Sequence, residues 1–335
     1  MNNFLKLSDT QKRDIIGQVA IRIGIPAQAV EKDLWVTAVL QMVFSLPFAD
    51  RLVFKGGTSL SKVWRVINRF SEDIDLAIDR ELFEMSGNLT IKQIKTLRKN
   101  SSLFVKTEFC NALREKISSL GLPAFCTAES EPDGDGDKTY PEPRKISVKY
   151  KTLFDDIPYL LPEVTLEVGA RSLFEPTAKH KVKSLLSETV PINTDVADVE
   201  IITSVPEKTF LEKAFLLHEI FTAGGSMEAN RKSRHLYDLE RMMDEDFAVA
   251  AVANHELWDA IHHHRELFTR VSGVDYSTDI RSHISIIPPQ EVLIQWKEDY
   301  MEMQNSMIYG DSVSFDSLLK RLKRLEDRFR ENPKS

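Results

Sequence analysis

Phe54-Lys55-Gly56-Gly57-Thr58-Ser59-Leu60-Ser61-Lys62, followed by Phe70-Ser71-Glu72-Asp73-Ile74-Asp75-Leu76, carries the most structural information in the chain. Leu52, Val53 and Phe54 form the apolar run of a strand, and the glycine pair turns the chain. Leu60, Val63, Trp64 and Ile67 then recur at the spacing of one helix face. Ser59, Lys62 and Arg69 fall on the opposite, polar side of that predicted helix. Ile74, Leu76 and Ile78 alternate with Asp73, Asp75 and Ala77, and a period of two sends the apolar set to one side of a strand and both aspartates to the other. Two carboxylates on one face repel each other unless a cation sits between them. Glycines at a helix start let a phosphate approach backbone N–H groups where the helix dipole favours negative charge. The pattern predicts a strand–turn–helix–strand unit that takes a nucleoside triphosphate and its magnesium.

Outward from this unit, Ser8 is placed to cap a helix to about Ile23, and Pro26 opens a second to about Phe44. A long helix is predicted from Ile91 to about Leu120, and the Gly-, Asp- and Pro-rich stretch from Glu129 to Asp137 is a predicted loop. Strands are predicted at Lys145–Lys151, Glu163–Val168 and near Val199–Ile202. From Pro206 the pattern is helical almost to the end, broken around Ser272–Thr278 and Ile286–Pro289. Ser204 and Glu207 have the spacing of a capping box, with Pro206 in the first turn. The expected division is a mixed catalytic region over residues 1–203 and a helical region over 204–335 that completes the site.

A chain of 335 residues with 42% hydrophobic content buries a large core. Two cysteines, Cys110 and Cys126, supply no disulfide framework. Met1-Asn2-Asn3-Phe4 lacks a basic start and an apolar segment, and the longest apolar run, Leu34 to Phe44, is too short to span a bilayer. The expectation is a cytoplasmic protein with no membrane partner. A net charge of −7 argues against a whole-surface nucleic-acid binder, but basic residues cluster at Arg144 to Lys151, Lys179 to Lys183, Arg231 to Arg234 and Lys320 to Arg324. Each cluster is either a solvated face or part of an RNA track.

The Gly-Gly-Thr and Asp-x-Asp pair resembles the signature of the polymerase-β-like nucleotidyltransferase superfamily, and the wording KGGTSLSK with RFSEDIDL looks like the AbiEii/AbiGii (MenT-like) toxin family. The likeness extends through Val30-Glu31-Lys32-Asp33, Leu166-Glu167-Val168-Gly169, Glu212-Lys213-Ala214, Ser233 to Leu239, Asp299-Tyr300 and Gly310-Asp311-Ser312. It implies an α+β fold, a polymerase-β-like mixed sheet flanked by helices, with a mainly helical C-terminal half. It implies Asp73, Asp75 and Glu167 as ligands of Mg2+ or Mn2+, and Lys213 and Asp238 as further catalytic residues. It implies Gly56, Gly57, Thr58, Ser59, Lys62, Arg69, Lys213 and Arg234 as nucleotide contacts. By the same resemblance the chain transfers NMP from an NTP to an acceptor, tRNA, as the toxin of a toxin–antitoxin system for phage defence, with a cognate antitoxin as partner. Glu163, Thr165 and Glu167 share one face of their predicted strand, so geometry allows Glu167 to reach the metals or the acceptor hydroxyl. Relatives often carry Arg-Asp where this chain has Arg234-His235, so His235 has a different task, while Asp238 can also pair with Arg234 one helical turn away. The alternatives are nucleotidylation of a protein or small molecule on the same metal chemistry, and a nucleotide-binding regulatory pseudo-enzyme.

Other tempting features carry no site. Lys138 and Arg144 replace the glycine and closing glutamate that a calcium loop needs after Asp133. His262, His263 and His264 are consecutive and spread around a helix.

Overall fold

The computed structural model describes residues 1–135, 139–155 and 160–331. They cluster as two compact units, Met1–Val63 with Phe70–Ser204, and Trp64–Arg69 with Val205–Ser335.

The N-terminal unit is built on one mixed sheet. Its strands are β1 (Leu52–Lys55), β2 (Ile74–Ile78), β3 (Cys126–Ser130), β4 (Arg144–Tyr150), β5 (Glu163–Gly169), β6 (Thr177–His180) and β7 (Ile201–Ser204). They lie in the order β3-β4-β5-β2-β1-β7-β6. The pairs β2/β5 and β1/β7 are parallel and the other four antiparallel. Ile74, Leu76, Ile146, Val148, Val164, Leu166 and Val168 are buried on one face, as the alternation predicts.

Helices flank the sheet. Asp9–Ile23 starts at Ser8, whose hydroxyl takes the Gln11 N–H while the Gln11 side chain takes the Ser8 N–H, and it stops at Gly24. Ala27–Val43 is buried on nearly every side. The long helix after Thr90 runs as Ile91–Phe104, a wider turn at Val105–Phe109, and Cys110–Ser119.

Two strands escape the pattern. The predicted loop from Glu129 begins too early, because β3 runs through Ser130 and pairs with β4. Only Cys126 and Ala128 face inward there, and both are too small to mark a strand. β6, Thr-Ala-Lys-His, is a polar edge strand with no apolar alternation to read. Residues 131–135 of the predicted loop carry no helix or strand, and 136–137 lie outside the described residues. The capping box at Ser204 does not form: Ser204 is the last residue of β7, paired with Thr177, and Val205 caps Pro206–Thr222 without a side-chain bond. Extending the sheet ladder one residue takes Ser204 away from the helix start.

The C-terminal unit is helical: Pro206–Thr222, Ser233–Met242, Asp246–Ala253, His255–His264, Leu293–Ser306 and Phe315–Arg330. Asp299 accepts the Arg231 and Ser233 N–H groups at 2.6 and 2.9 Å, so a carboxylate caps the Ser233–Met242 helix from outside it. Among the described residues, no helix is long and apolar enough to cross a membrane.

His218 is buried in this unit, and its Nδ1 accepts the Ser285 N–H at 3.1 Å. Burial first, then the charges of His283 and His262, push its pKa down to about 4. Below the ordinary histidine value the unfolded chain takes a proton that the folded ring refuses. This contribution to stability is therefore complete above about pH 6.5 and falls as the pH drops toward 4. His218→Asn keeps an acceptor without the titration, and should lose roughly 2–3 kcal/mol less than wild type between pH 7 and pH 4. Urea unfolding of both proteins at the two pH values checks this, and parallel losses would remove His218 from the linkage.

Candidate active site

Two assemblies carry the residues singled out from the sequence, one in each unit. In the N-terminal unit, Gly56 follows β1 with φ +78, and a Cβ there would overlap Asp75 Oδ2 and lie 2.9 Å from its Cγ. Only glycine tolerates both that backbone and that approach. The Asp75 carboxylate thus rests against the first residue of the Gly56–Ser59 helical turn. Thr58 and Ser59 are buried. Thr58 Oγ1 lies 2.5 Å from the Asp73 carbonyl and 2.9 Å from the Ser71 hydroxyl, and Ser59 donates to the Gly56 carbonyl at 2.8 Å. Both hydroxyls therefore act on the backbone that carries the glycines and Asp73.

Strand register places Lys55, Asp75, Glu167 and Lys145 directly opposite one another across β1, β2, β5 and β4. Paired residues in a sheet point to the same face, so one row beside Gly56 carries two adjacent acids, Asp75 and Glu167, flanked by a lysine at each end. Lys145 Nζ is 2.8 Å from Glu167 Oε1. That bond first, then the charges of Glu167, Asp73 and Glu131, outweigh partial burial and hold the Lys145 ammonium above its ordinary pKa. The neighbouring Lys149 meets Glu129 at 3.1 Å.

The helical turn after Gly57 continues through Leu60–Trp64 and stops at Arg65, whose φ is +57. Ile67 and Arg69 therefore lie beyond it, which corrects the placement of Arg69 on its polar side. Arg69 instead forms a bridge with Ile308 in the C-terminal unit. Lys62 does lie on the turn, and its ammonium is bonded to Asp33.

The second assembly is a buried ion cluster. Asp238, fully buried, takes Arg69 Nε at 2.7 Å, Arg69 Nη2 at 2.8 Å and Lys213 Nζ at 2.8 Å. Burial alone would raise its pKa, but the charges of Arg69 and Lys213 and their bonds hold the carboxyl well below the usual range. Burial lowers the Lys213 pKa, opposed by Asp238 and reinforced by Arg69. Lys213 Nζ is 3.4 Å from His235 Nδ1. Burial, then Lys213 and Arg234, keep the His235 pKa far below its ordinary value, so the imidazole is neutral at pH 7 and serves as acceptor. Arg69 and Lys213 meet one carboxylate, and the Arg234 charge acts on Lys213 and His235 beside it, a cationic surplus suited to an anion. Asp238 thus pairs across 169 residues of sequence with Arg69 rather than locally with Arg234.

Among the described residues, no group of three or more His, Cys, Asp or Glu side chains is placed to hold a metal ion. Asp73 and Asp75 remain as a pair. Two carboxylates fit Mg2+, which takes one or two of them and completes its shell with phosphate oxygens and water.

Of the basic clusters Arg144 is buried, while Lys145, Lys149, Lys181 and Lys323 form ion pairs at the surface. Arg144 is buried on Ser102, Asp133 and the Glu131 carbonyl. Arg321 binds Glu240 and Asp244, and Lys323 binds Glu326 and Asp327.

Sequence reasoning included Lys32 and Asp33 only as part of the resemblance and without a role; Lys32 binds Glu72 at 2.7 Å, and Asp33 binds Lys62. The available signal was three consecutive charges, Glu31-Lys32-Asp33, inside an otherwise apolar helix.

A family model described as the nucleotidyl transferase AbiEii toxin, type IV toxin–antitoxin system, matches residues 39–321. The structure is similar to that of MenT4, a nucleotidyltransferase toxin from Mycobacterium tuberculosis H37Rv, with a TM-score of 0.57 over 95% of this chain and 89% of that one. The two are 16% identical, so the likeness speaks for the fold. No curated protein sequence matches the chain.

Proposed function

The chain belongs to the AbiEii family of nucleotidyltransferase toxins of type IV toxin–antitoxin systems, and from that premise we propose that it transfers NMP from an NTP to the 3′ end of a tRNA, in the cytoplasm, as a phage-defence toxin. The observation that carries the reading is the Asp75 carboxylate seated against Gly56 at the start of a helical turn.

Asp73 and Asp75 would hold Mg2+ or Mn2+, which supplies positive charge at the transferring phosphoryl group. Backbone N–H groups after Gly56 and Gly57 meet phosphate oxygens. Lys213 and Arg234 supply charge toward the triphosphate. Glu167, one strand from β2 and oriented by Lys145, receives the proton of the acceptor hydroxyl. In-line attack then forms the new phosphodiester and releases pyrophosphate.

One observation favours a second reading. Lys145 and Lys149 are each paired with a carboxylate, so β4 is not an open cationic track, and an acceptor with few phosphates, a protein or a small molecule, also fits. Each of the four α-32P NTPs, incubated with the enzyme, total RNA and total protein, separates the two. Label in small RNA at the 3′ end supports the tRNA reading; label in protein alone overturns it.

Lys213→Gln should raise KM for the NTP about tenfold or more, the loss of a charge-assisted bond of ~1.5–3 kcal/mol, while acceptor affinity stays as in wild type. Initial rates at varied NTP, beside acceptor binding by filter retention, check it. An unchanged KM would remove Lys213 from the nucleotide.

A further inference from the structure

We infer that Lys32 and Asp33 are positioning residues for nucleotidyl transfer, fixing the two points between which the Gly56–Asp75 segment leaves the N-terminal unit and returns to it. The inference rests on the function proposed above for Gly56, Gly57, Asp73 and Asp75. The helix Ala27–Val43 buries Val30, Leu34, Trp35 and Val36, yet carries Glu31, Lys32 and Asp33 among them. Charges at such positions persist only when they are paired. Lys32 Nζ lies 2.7 Å from the Glu72 carboxylate and 2.9 Å from the Leu161 carbonyl, with side-chain exposures of 3% for Lys32 and 15% for Glu72. Asp33 receives Lys62 on one oxygen and the Leu185 N–H at 2.7 Å on the other.

The far ends of these bonds give the pairs their meaning. Lys62 precedes Val63, the last residue before the chain departs for the C-terminal unit, and Glu72 follows closely on Phe70, where it returns. Lys62 also ends the polar side of the turn begun by Gly56, and Glu72 is the residue before Asp73. Adjacent residues of opposite charge on one rigid helix therefore hold the exit and the re-entry of the catalytic segment. Glu31, the third charge of the run, grips a different element, accepting the Thr152 hydroxyl and Leu153 N–H at 2.7 and 2.8 Å. A catalytic carboxylate displaced by 1 Å costs about a hundredfold in rate, so an anchor one residue from Asp73 bears directly on chemistry.

A pair that only stabilises can be replaced by a neutral pair of similar volume without loss of function, whereas a positioning pair cannot. Lys32→Met combined with Glu72→Gln removes both charges together and leaves none buried alone. We expect an unchanged Tm, kcat lowered on the order of tenfold or more, KM for the NTP within about twofold, and weaker Mn2+ binding by EPR. Lys32→Arg should keep most of the rate. Should the double variant fail to fold, Lys32→Arg with Glu72→Asp retains both charges and alters only their reach, and it should lower kcat in a folded protein. Wild-type kcat and Mn2+ affinity in whichever of the two double variants folds would overturn the inference. A wild-type enzyme that labels nothing would instead overturn the proposed function, while the Mn2+ and Tm measurements still report on the clamp.

Discussion

Asp75→Ala should abolish label transfer and growth toxicity, with a rate loss on the order of 10^3-fold, and leave the far-UV spectrum and Tm of the wild type. Asp73→Ala should do the same. Asp75 is half-buried, between Lys55 and Glu167 on the polar face of the sheet, so its removal opens no core cavity. The sharper experiment leaves Asp75 in place. Gly56→Ala adds one methyl group where the carboxylate now rests, on a backbone at φ +78 that alanine adopts poorly. The carboxylate must move, and transfer should fall as far as in Asp75→Ala. Label transfer, normalised to folded protein, is the measurement for all three variants. A Gly56→Ala enzyme with wild-type kcat would show that the close approach has no part in the chemistry.

Legibility in the sequence followed the range of the forces involved. The Gly-Gly turn and the Asp-x-Asp strand were readable because each depends on residues a few positions apart: a backbone at positive φ, a period of two, a helix start. The Ser8 cap was readable for the same reason. β6 was not, since an edge strand with one partner tolerates Thr-Ala-Lys-His as well as any apolar run. The β4 strand and its basic cluster were readable, but the carboxylates opposite Lys145 and Lys149 come from β5 and β3 and follow from strand order. Arg69 shows the limit most clearly. Counting turns from Gly57 assigned it to a helix that in fact stops at Trp64, because nothing local announces where a short turn gives way. Its partner, Asp238, lies 169 residues further on.

That partnership sets the largest expected effect on stability. Asp238→Ala leaves Arg69 and Lys213, both almost wholly buried, facing each other without a counter-charge. Stranding buried charges in this way costs about 3–5 kcal/mol, a large share of the stability of a domain this size. The effect is specific to charge and not to volume, which a second variant can show. Replacing Asp238, Arg69 and Lys213 together by Leu, Met and Met removes every charge and should recover most of the loss. The pH dependence has a definite sign as well. A carboxyl held below its usual range contributes stability that is complete above the unfolded value, near 4, and disappears only as the pH falls through the lower folded value. At pH 7 the wild type therefore carries the full contribution, and Asp238→Ala should be destabilised at every pH from 5 to 8 by a similar amount. Urea unfolding across that range, followed by Trp258 and Trp296 fluorescence in the C-terminal unit, reads it directly. A loss under about 1 kcal/mol would mean that the cluster is solvated and weak, like an exposed ion pair.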